Sequence, residues 1–179
     1  MAHCLTPNRK NLVTLERLND DRTGIEVASL KFWFKNMEDF TDFSLTYFVH
    51  LGRIEGQAHI CALSDSMIAV SLGSEEVRVW NLDEDKKWVV VAALQYQGLE
   101  VLQLLPCKLR LKTKKDCGQC LAVLHKHGCV SFWSIRNWQL ESTLNMHDEV
   151  TKIAFEASYR YIAALASKGS VAIWKMKGM

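Results

Sequence analysis

The sequence predicts a nearly all-β fold, and three observations support this prediction. Short apolar stretches with strand-like alternation recur along the whole 179-residue chain. Turn-forming segments such as SDS, GSEE and DEDKK separate these stretches. Helical periodicity is not sustained beyond about two turns anywhere. Because 49% of the residues are hydrophobic, the chain can build the core of an ordinary folded domain.

An internal repeat organises the chain, and each copy of it ends in a tryptophan. The three clearest copies are AVSLGSEEVRVW (69–80), AVLHKHGCVSFW (122–133) and AALASKGSVAIW (163–174), and a weaker fourth copy ends in GIEVASLKFW. Each clear copy contains a short apolar strand, a turn and an alternating strand. The anchors Trp33, Trp80, Trp133 and Trp174 are 47, 53 and 41 residues apart. Such spacing with several short strands per period is typical of β-propeller blades.

The repeat predicts about four blades within residues 25–179, preceded by an N-terminal segment of residues 1–24. The predicted blades are 25–50 (partial), 57–95, 98–146 and 147–176 (partial). Two arrangements remain open: residues 11–18 supply a strand that closes a small ring, or the chain is part of a larger propeller. We favour the incomplete ring, because four long apolar blades would have to curve tightly to close. Open blade faces and strand edges would then favour self-association or binding to another protein.

The stretch MHDEVTKIAFEASYRYIAALASKGSVAIWKM (146–176) resembles a WD repeat. His147 occupies the position of the family's histidine before the inner strand, and Trp174 the end of the third strand. In the family this histidine joins a hydrogen-bonded network with an aspartate in the turn before the third strand. Here the matching turn positions are Ser74, His127 and Lys168, and none of them is an aspartate, so the network is missing. The resemblance therefore implies a WD40-like propeller with degenerate repeats, whose tryptophans are held by packing.

A second resemblance concerns the run from Val27 to Gln103. Its segments VASLKFW, VRVW and WVVVAALQYQGLEVLQLLP look like the start of the C-terminal propeller of the partner-and-localiser adaptor of homologous recombination. This resemblance implies a non-enzymatic scaffold that binds other proteins, without a cofactor, in DNA repair. It implies a location in the nucleus or the cytoplasm, with the nucleus favoured.

The segment CGQCLAVLHKHGCVSFW suggests an alternative function, because it brings three cysteines and two histidines into a short stretch. Cys117, Cys120 and Cys129 would be ligands of a zinc ion or members of a redox pair. Residues 121–127, however, fill the position of the second strand of a blade. In a strand this stretch rises too far for His125 and His127 to reach back to the first two cysteines. We favour the interpretation as two strands joined by a turn at His127-Gly128.

A basic segment, KLRLKTKKD (108–116), offers another alternative function. We expect a loop there, whose candidate phosphate contacts are Lys108, Arg110, Lys112, Lys114 and Lys115. The net charge of the whole chain is only +2, so direct nucleic-acid binding is not favoured. The longest apolar run, WVVVAAL, is too short to span a bilayer, and the N-terminus lacks a signal-like apolar run. These observations favour an intracellular protein with free thiols.

Overall fold

The computed structural model describes residues 2–19, 26–35, 43–54, 56–110, 117–146 and 149–176. It consists of four antiparallel β-sheets, each with its strands in sequence order. Within the described residues, no helix is long and apolar enough to cross a membrane. The chain divides into two compact units, residues 1–95 and 96–179, with two sheets each.

The first sheet contains four strands, which are β1 (Ala2–Leu5), β2 (Asn11–Asn19), β3 (Glu26–Lys35) and β4 (Phe43–Arg53). This corrects the predicted boundary at residue 24 and the partial blade of residues 25–50. The segment 11–18 belongs to β2, which pairs along its whole length with β3. It is therefore an internal strand of the first blade and not a closing strand for the last one. Its apolar residues Val13 and Leu15 are almost completely buried, which explains this pairing.

The second sheet completes the first unit, with strands β5 (His59–Ser64), β6 (Met67–Ser71), β7 (Glu76–Leu82) and β8 (Trp88–Gln95). One face of the first sheet packs against it in a shared core. Phe32 of β3 is central to this core, since its ring centroid lies 4.5 Å from that of Trp88 and 6.5 Å from that of Trp80. Burying an aromatic side chain of this kind contributes about 1.5–3 kcal/mol.

The second unit has one complete and one shorter sheet. The third sheet contains β9 (Val101–Arg110), β10 (Cys117–His125), β11 (Cys129–Ser134) and β12 (Leu140–Asn145). The fourth sheet contains β13 (Val150–Phe155), β14 (Tyr161–Ala166) and β15 (Val171–Lys175). Phe132, Val130 and Leu124 of the third sheet share a core with Ile153 and Ile162 of the fourth.

The turn between β10 and β11 is formed by a short 3₁₀ segment, Lys126–Gly128. His127 and Gly128 both adopt left-handed backbone conformations, with φ angles of 64° and 70°. Glycine adopts such angles at no steric cost, and histidine tolerates the left-handed region better than most residues. The pair His127-Gly128 therefore makes a tight connection, and it places His127 outside the strand that ends at His125.

Candidate functional site

The four repeat anchors occupy the same place in their sheets. Trp33, Trp80, Trp133 and Trp174 all lie in the third strand, opposite an aliphatic residue of the second strand. In the three complete sheets, a register shift between third and fourth strands falls immediately before the tryptophan. This bulge is a shared feature of the repeat, and it bends the outer strand at the same point each time.

The indole N–H groups of the anchors do not share one bonding pattern. Trp33 donates to Thr14 Oγ1 at 3.1 Å, and Trp133 donates to Ser131 Oγ at 2.9 Å. The buried Trp80 Nε1 has no hydrogen-bond partner among the described residues. In the second sheet, Val70 occupies the position equivalent to Thr14. In the third sheet the acceptor is Ser131, two positions before the tryptophan; the equivalent residue of the second sheet is Arg78. Both sources of a hydroxyl acceptor are therefore missing.

A small recess lies beside Trp80 in the first unit. It has a volume of about 30 Å³, and its wall includes Leu51, Val70 and Ser74. At its rim, Arg78 Nε donates to Glu76 Oε1 at 2.5 Å, so the two charges neutralise each other. Such a volume holds only about one or two water molecules. The recess is too small for a cofactor or a drug-sized ligand.

A buried polar network lies on one face of the third sheet. His125 Nε2 lies 2.7 Å from Ser131 Oγ, and His125 Nδ1 lies 3.3 Å from the Leu99 carbonyl oxygen. Because a carbonyl only accepts, Nδ1 carries the proton that it donates to Leu99, and Ser131 donates its hydroxyl proton to Nε2. Ser131 also accepts from Trp133, so one hydroxyl joins the histidine to the anchor.

The environment of this network favours a neutral imidazole. His125 and Ser131 are at most 2% exposed, and burial lowers the pKa of His125 below its ordinary range, against the smaller opposing effect of the Leu99 bond. The Tyr96 ring centroid lies 5.3 Å from that of His125. Burial raises the pKa of the neighbouring Cys129 thiol. The network is thus an uncharged structural link, closed to solvent, and it offers no general base to a substrate.

The cysteines of the predicted zinc or redox cluster are spread over the third sheet. Cys117 begins β10, whereas Cys120 points into the core opposite Cys107 of β9. Cys129 and His125 lie on the other face of the sheet. Burial and the nearby Glu141 carboxylate raise the pKa of Cys120 to about 11, so its thiol stays protonated at neutral pH. The described residues contain no group of three metal-ligating side chains.

The basic segment is a loop only in part. Lys108 and Arg110 belong to the end of β9, where they pair with Gln119 and Cys117 of β10. This corrects the prediction of a loop beginning at residue 108, and the reason is the strong pairing of these two strands. Lys112, Lys114 and Lys115 lie outside the described residues, and so does His147.

The two large apolar side chains with the highest fractional exposure in the described part of the chain both lie in the fourth sheet. Val171 and Ile173 of β15 are 64% and 69% exposed. Val171 and Ile173 lie three positions and one position before the anchor Trp174. The equivalent pairs in the other sheets, in the same order, are Leu30 and Phe32, Val77 and Val79, and Val130 and Phe132. None of these six is more than 1% exposed. The apolar pattern of a blade core is therefore present in β15, but its side chains are open to solvent.

The backbone of β15 is open along one edge as well. Ala166 N–H donates to the Ser170 carbonyl at 2.9 Å, and Met176 N–H donates to the Arg160 carbonyl at 2.7 Å. Since bonding alternates along antiparallel strands, the even-numbered residues of β15 face β14. The N–H and C=O groups of Val171, Ile173 and Lys175 then point to the opposite edge. No strand of the described residues pairs with that edge.

Comparison with known proteins identifies the fold. The chain is similar to Sqt1 from Chaetomium thermophilum, with 11% identity over 98% of this chain and 43% of Sqt1, and a TM-score of 0.70. It is also similar to the WD40 domain of Toxoplasma gondii coronin, with 12% identity over 98% of this chain and 42% of that chain, and a TM-score of 0.68. No family model and no curated protein matches the sequence.

These similarities confirm the predicted all-β, WD40-like propeller fold. The four sheets are its blades, and the third strand of each blade carries the tryptophan. The chain spans less than half the length of either protein, which agrees with an incomplete propeller. At 11% and 12% identity, the likeness concerns the fold and does not extend to function.

Proposed function

We propose that this chain is a non-enzymatic scaffold that binds other proteins through its propeller blades. The observation that carries the proposal is the exposed apolar surface of β15, where Val171 and Ile173 occupy positions that are buried in the other three sheets. A rigid sheet with an open edge and exposed branched side chains is suited to binding another polypeptide. The buried, neutral His125 network supports the same conclusion, because it leaves that polar cluster closed to substrates.

An affinity purification from native extract tests this function. The tagged wild-type chain is compared with Phe132→Asp, which places a charge in the core and serves as an unfolded control. We expect the wild-type chain to enrich a small set of proteins in near-stoichiometric amounts, whereas the unfolded control should not retain them. An identical set of proteins with both chains would contradict the proposal.

A finer proposal places the scaffold in homologous-recombination DNA repair in the nucleus. Its support is the sequence resemblance of residues 27–103 to the propeller of the recombination adaptor. The test is to express the fluorescently tagged chain and damage DNA locally with a laser. Accumulation at the damaged track within minutes is the expected result. A chain that remains in the cytoplasm, or ignores the track, would contradict this role and leave the scaffold function standing.

A further inference from the structure

We propose that the open edge of β15 binds an extended segment of a partner protein, which adds to the fourth sheet as its fourth strand. This inference rests on the proposed scaffold function and names its docking surface. Strand addition supplies main-chain hydrogen bonds along an unpaired edge, and alternate side chains decide which segment fits. Here the unpaired groups belong to Val171, Ile173 and Lys175, so the edge can form bonds at three residues of one strand.

The three complete sheets show what a fourth strand must provide. Each fourth strand carries two aliphatic residues that are four positions apart. The first lies opposite the anchor tryptophan of the third strand. The second lies opposite the third-strand residue that is three positions before the tryptophan. These pairs are Leu45 and Val49 in β4, Val90 and Leu94 in β8, and Leu140 and Leu144 in β12. Because the spacing recurs in all three sheets, it is a rule of the repeat.

Applied to the fourth sheet, this rule defines the partner segment. Its first aliphatic residue would lie opposite Trp174, and its second, four residues later, opposite Val171. The second residue would lie on the face where Val171 and Ile173 are exposed, and would cover apolar surface there. The segment is therefore an extended stretch with two branched aliphatic residues separated by three others.

Charge adds one more feature to the expected partner. Lys175 lies at one end of β15 and Lys168 in the turn before it, and both are exposed. No acidic residue lies on β15 itself. In β4 and β8, the residue just before the first aliphatic residue pairs with the third-strand residue that follows the anchor tryptophan. In the fourth sheet, the residue that follows the anchor is Lys175. An acidic residue is therefore favoured immediately before the first aliphatic residue, because opposite charges across a strand pair are stabilising.

The same rule argues against a second copy of β15 as the occupant. The branched aliphatic residues of β15, Val171 and Ile173, are two positions apart, whereas the three complete sheets require two that are four positions apart. No register of a second copy of β15 therefore places one of them opposite Trp174 and another opposite Val171. We therefore assign the edge to a segment of another protein.

Fluorescence anisotropy tests this proposal with a defined probe. The probe is a labelled peptide that copies residues 139–145 with Gln139→Glu, and therefore carries the acidic residue and both leucines. The control peptide has serine in place of the two leucines. We expect saturable binding of the probe to the purified chain and binding of the control that is weaker by about tenfold or more.

Backbone variants locate the binding edge. Ile173→Pro removes an edge N–H group without removing a bond to β14, and proline is tolerated at such an edge position. The matched control is Ala93→Pro, since Ala93 pairs with Arg78 at a position where its N–H group faces the outer edge of the complete second sheet. We expect Ile173→Pro to weaken probe binding by about tenfold or more and Ala93→Pro to leave it unchanged.

A second variant keeps the test decisive if Ile173→Pro does not fold. Ile173→Lys retains the backbone donor, and the side chain is exposed enough to carry a charge, but it opposes burial of the partner's aliphatic residue. Weakened binding in this variant supports the proposal. Equal binding to wild type and to both folded variants would overturn it, as would equal affinity for probe and control peptide. A defined dimer that needs Ile173 and excludes the probe would instead assign the edge to a second copy. If both variants still capture the same partner proteins from extract as the wild-type chain does, the docking site at β15 would be refuted, and the proposed scaffold function would stand.

Discussion

At the scale of single residues, the unpaired indole of Trp80 is the clearest departure from the repeat. A buried donor without an acceptor costs about 1–3 kcal/mol. Val70→Thr would place a hydroxyl where Thr14 serves Trp33 in the first sheet, with almost the same side-chain volume. We expect this variant to be as stable as wild type or more stable by about 1 kcal/mol in urea unfolding.

The matched control for this prediction is Val79→Thr. Val79 is fully buried on the other face of the same sheet, the face turned away from the Trp80 indole. Burying a hydroxyl there should lower the free energy of unfolding by about 1–3 kcal/mol. Equal losses in the two variants would show that Trp80 does not take up the new acceptor.

The buried His125 makes a prediction about pH. Because burial lowers its pKa, the unfolded chain takes up a proton before the folded chain as the pH falls below the ordinary histidine value of about 6.5. The free energy of unfolding should therefore decline from about pH 6.5 downward until the folded-state pKa is reached. Tyr96 and Cys129, the titratable neighbours named above, stay neutral in this range.

Chemical unfolding between pH 5 and pH 8, in steps of about half a unit, checks this prediction. His125→Gln should flatten the decline, because it removes the buried group that titrates. A decline that is equally steep in wild type and His125→Gln would contradict the assignment of a neutral imidazole.

Some of these residue-level features could be predicted from sequence, and others could not. The turn at His127-Gly128 follows from local chemistry, since both residues suit left-handed conformations. The network of His125 depends on the register between β10 and β11, which brings Ser131 close, and on the backbone carbonyl of Leu99, 26 residues earlier in the chain. A single sequence contains no direct signal for such a network, although serine two before an anchor tryptophan is a usable clue.

At the scale of elements, the alternating edge of β15 predicts a specific pattern of amide exchange. The N–H groups of Ala172 and Trp174 face β14, whereas those of Val171 and Ile173 face solvent. We expect slow exchange at the first two residues and fast exchange at the other two in hydrogen-exchange NMR. In β3, β7 and β11 consecutive residues should all be protected, because these strands have neighbours on both sides. Equal protection of Ile173 and Ala172 in dilute samples would contradict an open edge.

The element order also shows where sequence patterns fail. The third strands were predictable because each ends in tryptophan after an alternating run. The sequence did not show that β1 and β2 belong to the first sheet, because the pattern of residues 11–18 predicts a strand but does not indicate which strand it pairs with. Pairing between β2 and β3 is decided by the burial of Val13 and Leu15 in a core that includes the second sheet. Such long-range burial has no local signature.

At the scale of the whole molecule, exposed apolar surface should make the isolated chain associate. Val171 and Ile173 combine with Tyr161 and Leu165 of β14, which are also exposed, into one apolar region of the fourth sheet. We expect the weight-average mass in sedimentation velocity to rise with protein concentration. Ile173→Lys should reduce this rise, because it places a charge within this apolar face and opposes burial of the face against another molecule. A stable monomer at all concentrations with a cooperative melt would contradict this prediction.

The central claim is that the chain forms four equivalent units in which a tryptophan marks the third strand. Interstrand NOEs measured by solution NMR test it most directly. The account predicts that Trp33, Trp80, Trp133 and Trp174 lie opposite Leu12, Ile68, Leu121 and Ile162, respectively. It also predicts contacts from the first three tryptophans to a fourth strand. Any of the four tryptophans in a helix, or in strands that are not equivalent, would contradict the account.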